Sequence, residues 1–156
     1  MKYLAMFLLL CMSLPVMSLA QEAAKKDDNM SILMDKIKAD KKLLVAANME
    51  LTEAESKDFW PLYDAYQKDL EVNRKKLGDI INRYAEKYKT MTNEEAKGLL
   101  NDYMKVEEEQ MKMRQTALPK FRAVLPEIKV VRYYQIENKI RAAVTYEIAA
   151  LIPLMK

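Results

Sequence analysis

Apolar residues recur along this chain at intervals of three, four and seven, and no segment alternates with period two. The pattern predicts an all-α chain of four to five helices. A first short helix is expected over residues 32–47, with Ser31 as N-cap and Ile32, Leu33, Ile37, Leu44 and Val45 as its buried stripe. Thr52-x-x-Glu55 then forms a capping box. The Thr hydroxyl accepts from the N–H of Glu55, and the Glu carboxylate accepts from the N–H of Thr52. From Glu53 to about Lys89 a long helix carries a seam of Phe59, Tyr63, Tyr66, Leu70, Leu77, Ile80, Ile81, Tyr84 and Tyr88, interrupted by Asn73. Pro61 is expected to kink it.

Thr92-x-x-Glu95 repeats the capping box and opens the next helix, whose expected buried face is Ala96, Leu99, Leu100, Tyr103, Val106, Met113 and Ala117. Pro119 should kink or end that helix, and Phe121, Val124 and Leu125 continue its apolar face. Pro126 suits the first turn of a last helix that buries Val131, Tyr134, Ile140, Ala143, Val144, Ile148 and Leu151 and stops near Pro153. A helix of about 36 residues extends about 54 Å. Its stripe is longer than a compact domain can cover, so it calls for a partner helix and a partner chain.

The amino terminus changes the picture. Residues 1–20 have a positive Lys2, an apolar run from Tyr3 to Met12 and small residues at Ser18 and Ala20. This is the pattern of a cleavable secretory signal, cut after Ala20, and the run is too short to span a bilayer. The expected organisation is a signal peptide over 1–20, a flexible polar leader over 21–29 and one all-α domain over 30–156. Cys11, the only cysteine, would leave with the signal. No stable membrane insertion is expected after cleavage.

Composition narrows the chemistry. The chain has 156 residues, 26 Lys+Arg against 23 Asp+Glu, two glycines and no histidine. A phosphate-cradling glycine loop cannot be written, and the commonest general base and neutral metal ligand are missing. Ser31 and Ser56 lie at helix starts with no base arranged beside them, so no enzyme, cofactor or metal site is expected. The methionines Met30, Met34, Met104, Met111 and Met113 read as gap-filling core rather than thioether ligands. Glu107-Glu108-Glu109 reads as a solvated face, because consecutive helical residues do not converge. Nucleic-acid binding is disfavoured by export and by mixed-sign helix faces.

Charge is unevenly spread. Residues 93–113 hold six acids and three bases, and residues 114–141 hold seven bases and two acids. One reading pairs these segments as antiparallel neighbours. The other sets a basic, aromatic-containing patch toward a partner, with Phe121, Arg122, Arg132, Tyr133 and Tyr134 inside it. The corner Phe59-Trp60-Pro61, followed by Tyr63, likewise reads as core at a kink or as a contact surface.

The helix start Leu51-Thr52-Glu53-Ala54-Glu55 resembles the first motif of the Spy/CpxP-like, or LTxxQ, periplasmic family, with Glu55 in place of the final Gln. Before the last helix, Leu125-Pro126-Glu127-Ile128-Lys129 keeps only the Leu of the second motif. The segments Phe59-Trp60-Pro61-Leu62-Tyr63, Gln135-Ile136-Glu137-Asn138-Lys139 and Ile152-Pro153-Leu154 are similar to an exported branch of that family. The resemblance spans about residues 44–152. It implies long, kinked antiparallel helices in an elongated hairpin or cradle, often a homodimer in the periplasm. It also implies an ATP-independent chaperone for unfolded or misfolded periplasmic clients. The client-contact candidates are then Phe59, Trp60, Tyr63, Phe121, Arg122, Arg132, Tyr133 and Tyr134. The alternative it implies is a regulatory module that docks on one envelope sensor protein or an anti-sigma factor in envelope-stress or metal-stress signalling.

Overall fold

The structure, a computed structural model, describes residues 40–155; the expected signal peptide and leader, Met30, Ser31, Met34 and the expected helix positions before residue 40 lie outside them. By their contacts the residues divide into two units, Met1–Lys42 and Leu43–Lys156. The second unit is all-α. The described residues contain four helices and no strand: α1 over 40–49, α2 Glu53–Lys87, α3 Asn93–Val124 and α4 Glu127–Leu151.

The helix starts follow the local chemistry. Thr52 caps α2, accepting from the Glu55 N–H at 3.3 Å while the Glu55 carboxylate accepts from the Thr52 N–H at 2.7 Å. Thr92 and Glu95 build the same box at α3, at 3.3 and 3.0 Å. Pro126 sits at the N-cap of α4. Between α1 and α2, Glu50 takes a left-handed φ of 50°, which costs a non-glycine residue energy. The turn is tied down from α4, where the Lys129 ammonium donates to the Glu50 carbonyl at 2.9 Å and Arg132 pairs with its carboxylate at 3.1 Å.

Neither internal proline ends its helix. Pro61 lies within α2, and α3 runs through Pro119 to Val124. Each ring removes one hydrogen bond, to the carbonyls of Lys57 and Gln115. Both residues are exposed, so water can serve those carbonyls.

α2 and α3 form an antiparallel hairpin. Pairing runs from Lys87–Glu95 near the tip, through Arg83–Asp102, to Lys76–Glu109. Asn73 interrupts the seam as a buried amide, 1 % exposed, whose Nδ2 donates to the Val106 carbonyl at 3.0 Å. A lone buried amide of this kind fixes the register of two helices. The acidic stretch of α3 therefore pairs with α2, and the reading that pairs it with the basic stretch of α4 does not hold.

The core sits at the other end of the hairpin. Val45 and Met49 of α1, Phe59, Tyr63, Tyr66 and Leu70 of α2, Ala117 and Phe121 of α3, Leu125, and Val130 and Tyr133 of α4 form one cluster. Toward the tip, burial thins to Asn73, Ile80 and Val106.

Candidate functional site

The structure sorts the expected contact residues into two groups. Phe59, Tyr63, Phe121 and Tyr133 are 0–2 % exposed. They are core, and a client cannot touch them. Phe121 of α3 lies against rings from both neighbouring helices, with centroids 5.7 Å from Phe59, 5.9 Å from Tyr66 and 4.7 Å from Tyr133. Edge-to-face and tilted arrangements at this spacing add to area burial. Burial pushes the Tyr63, Tyr66 and Tyr133 hydroxyls up, so all three stay protonated. Trp60 is half-buried at the edge of this cluster.

Of the family-motif residues, Thr52 and Glu55 are the α2 cap, Leu51 packs half-buried on the core and Leu125 is buried. Glu55 also pairs with Lys129 of α4 at 2.5 Å. The Lys129 ammonium and the Thr52 N–H hold its carboxyl below the usual carboxylate range. These four residues build the frame.

Arg122, Arg132 and Tyr134 reach the surface. The Arg122 guanidinium forks onto Glu127, with Nε 3.0 Å and Nη2 2.7 Å from the two carboxylate oxygens. Such a fork fixes the side chain's direction. Arg132 is held by Glu50. Tyr134 is half-buried, donates to the Arg114 carbonyl at 2.8 Å and lies under the Arg114 guanidinium at 5.9 Å. Between α3 and α4, Leu118, Arg122, Val131, Tyr134 and Asn138 line an open groove of about 300 Å³.

An apolar face of α3 leads away from the groove. Leu118, Met111, Met104 and Leu100 recur at sevens and fours, on one helical face. At the Leu118 end, α4 stands beside this face. Beyond it the face is uncovered: Met111 is 54 %, Met104 59 %, Leu100 60 % and Tyr103 40 % exposed. This corrects the sequence reading at Leu100 and Tyr103, expected to be buried, and at Met104 and Met111, expected to be gap-filling core. α3 carries a second apolar face, through Leu99, Val106, Met113 and Ala117, which is the covered one. The signal was in the sequence as two stripes on one helix.

α4 slips by one residue from its expected face. Val130 and Tyr133 are buried, while Val131 is 48 % exposed and Tyr134 stands at the groove. Farther on, Ala143 is exposed, and Leu151, expected in the core, is 84 % exposed.

The described residues hold no group of three or more acidic, His or Cys side chains placed to bind a metal. Glu108 pairs along its own helix with Lys112, and Glu109 turns to Lys76 of α2. No described helix is long and apolar enough to cross a membrane. What the site offers is an adaptable apolar strip: methionine side chains on an open face, flanked by Arg114 and Arg122. Thioether side chains repack at low cost and suit partners of varied shape. No protein-family model, curated protein or solved structure matches this chain.

Proposed function

We propose that this chain is a periplasmic, ATP-independent chaperone-like protein of Spy/CpxP-like character, and that it holds unfolded client segments in the α3–α4 groove. One observation carries the reading: an uncovered strip of Leu100, Met104 and Met111 that leads to half-buried Leu118, on a helix whose other apolar face packs on the hairpin. Exposed apolar strips of this kind mark contact surfaces. Apolar burial supplies the attraction, and methionine supplies tolerance of sequence. No covalent step is involved, and release follows when the client buries its own apolar residues. The signal-peptide pattern of residues 1–20 supports export, and the balanced charge and mixed-sign helix faces disfavour nucleic acid.

The test is suppression of aggregation. The chain is added without ATP, near stoichiometric ratio, to two unrelated denatured clients, with light scattering and recovered client activity as readouts. Suppression of both, weakened in Met104→Lys/Met111→Lys, is the expected result. No effect on either client would overturn the reading and direct attention to a single folded envelope partner.

A further inference from the structure

α4 has two halves that pack differently. Its inward seam runs Val130, Tyr133, Glu137, Ile140, Val144 and Ile148, at steps of three and four. Val130 and Tyr133 are 1 and 0 % exposed, yet Val144, on the same seam, is 38 % exposed. The change falls just past a polar cluster, after Ile140, which still packs on the core. Gln67 of α2 donates to the Glu137 carboxylate at 3.1 Å and accepts from Arg74 at 3.3 Å. Beyond Glu137, α4 runs parallel to α2, as the pairs Gln67–Glu137 and Tyr84–Pro153 show. Its backbone runs close to α3 alone, and side chains of α2 reach across to it. Among the described residues past Leu151, Pro153 is tied to α2 by a bond from the Tyr84 hydroxyl to its carbonyl at 2.6 Å. On α2, Leu77, Ile81, Tyr84 and Tyr88 continue the face of Gln67 and Arg74, and all four are half-buried.

We propose that residues 141–153 are a releasable strap: an autoinhibitory segment latched by Tyr84 to Pro153 that shields the α2 stripe and competes with clients for it. The inference rests on the client-binding reading and deepens it, since α4 is also a wall of the groove. The packing difference gives the mechanism. The half of α4 before Glu137 is anchored in the aromatic core, so the helix is held at one end while the other lifts. Lifting joins the α2 stripe to the strip on α3 and widens the apolar surface. Local opening of this kind is drawn from the least buried parts of a fold.

The experiment uses the full chain with Cys11→Ser in three forms. The first is otherwise unchanged. The second carries Tyr84→Phe, which removes the latch and keeps the ring. The third carries Tyr84→Cys and Pro153→Cys joined by a short bismaleimide, which locks it. The readouts are fluorescence of an apolar-surface dye and hydrogen exchange of residues 141–151. Losing one hydrogen bond should raise the open population, and with it the exchange rate of 141–151, about two- to twelvefold. Residues 127–136 should be unchanged. The locked form should bind less dye than either. Equal dye binding and equal exchange in all three forms would overturn the strap. Aggregation assays on the same samples separate the two ideas. If dye binding follows the latch but no form protects a client, the strap stands and the chaperone reading falls.

Discussion

Replacing Phe121 by Ala separates core from contact surface more sharply than any other single change. Phe121 is 1 % exposed and joins α3 to rings on α2 and α4. A buried Phe→Ala change costs about 3–5 kcal/mol, through lost transfer energy and the cavity left behind. The loss falls at the upper end here, because Phe59, Tyr66 and Tyr133 each lose a ring partner and cannot all move in to fill the gap. A domain of this size has about 5–15 kcal/mol in total. With a urea slope of about 2 kcal/mol/M, the midpoint should fall by about 1.5–2.5 M. Phe121→Leu, which keeps most of the volume, should cost under about 1.5 kcal/mol. The assay is urea unfolding followed by circular dichroism and by Trp60 fluorescence, and coincidence of the two curves checks two-state behaviour. If Phe121→Ala left the midpoint within 0.3 M, roughly the shift of a neutral surface change, and weakened client binding instead, the assignment of Phe121 to the core would be refuted.

Other outcomes follow from the same geometry. Met104→Lys and Met111→Lys should change stability by less than about 0.5 kcal/mol each, as exposed positions do, while weakening client protection. Asn73→Ala should cost about 1–2 kcal/mol through a lost buried hydrogen bond, whereas Asn73→Leu should be near neutral by urea midpoint but broaden the amide spectrum of α2 and α3 as register fidelity falls. Thr92→Ala should cost about 1 kcal/mol by removing the α3 cap. Glu95 has its carboxyl lowered to about 2 by Lys87 and then by the Thr92 N–H. A carboxylate lowered on folding contributes fully above its unfolded value of 4.5 and loses that contribution as pH falls toward 2. An acid titration of stability should therefore show a component between those limits that Glu95→Gln removes.

The sequence reveals most where the physics is local. Both capping boxes involve neighbours three residues apart, and α2 and α3 begin where those boxes place them. The α2 seam was legible because its aromatics leave one face wide enough to be core. Two features depended on what lies across space. In α4, the doublets Val130-Val131 and Tyr133-Tyr134 offer two seams one residue apart, and only docking on Phe121 selects the first of each pair. In α3, two apolar faces compete, and α2 covers just one. The charge asymmetry misled for a related reason. α3 meets α2 first, through a short turn, so its acids find Lys76, Arg83 and Lys87 before any base on α4. Six of the eight contact candidates are aromatics, and large aromatics are the side chains a small core claims first; the two arginines among them, Arg122 and Arg132, reach the surface.

In the proposed function, clients lie along the exposed methionines of α3. Low-extent peroxide oxidation read by mass spectrometry tests it directly, because thioether oxidation follows access. Met104 and Met111 are 59 and 54 % exposed, Met155 is 46 % exposed and serves as an open reference, and Met49 at 0 % serves as a closed one. A saturating, reduced and alkylated client that cannot fold should slow oxidation of Met104 and Met111 several-fold and leave Met155 no slower than before. Unchanged rates at Met104 and Met111 with the client bound would contradict the account.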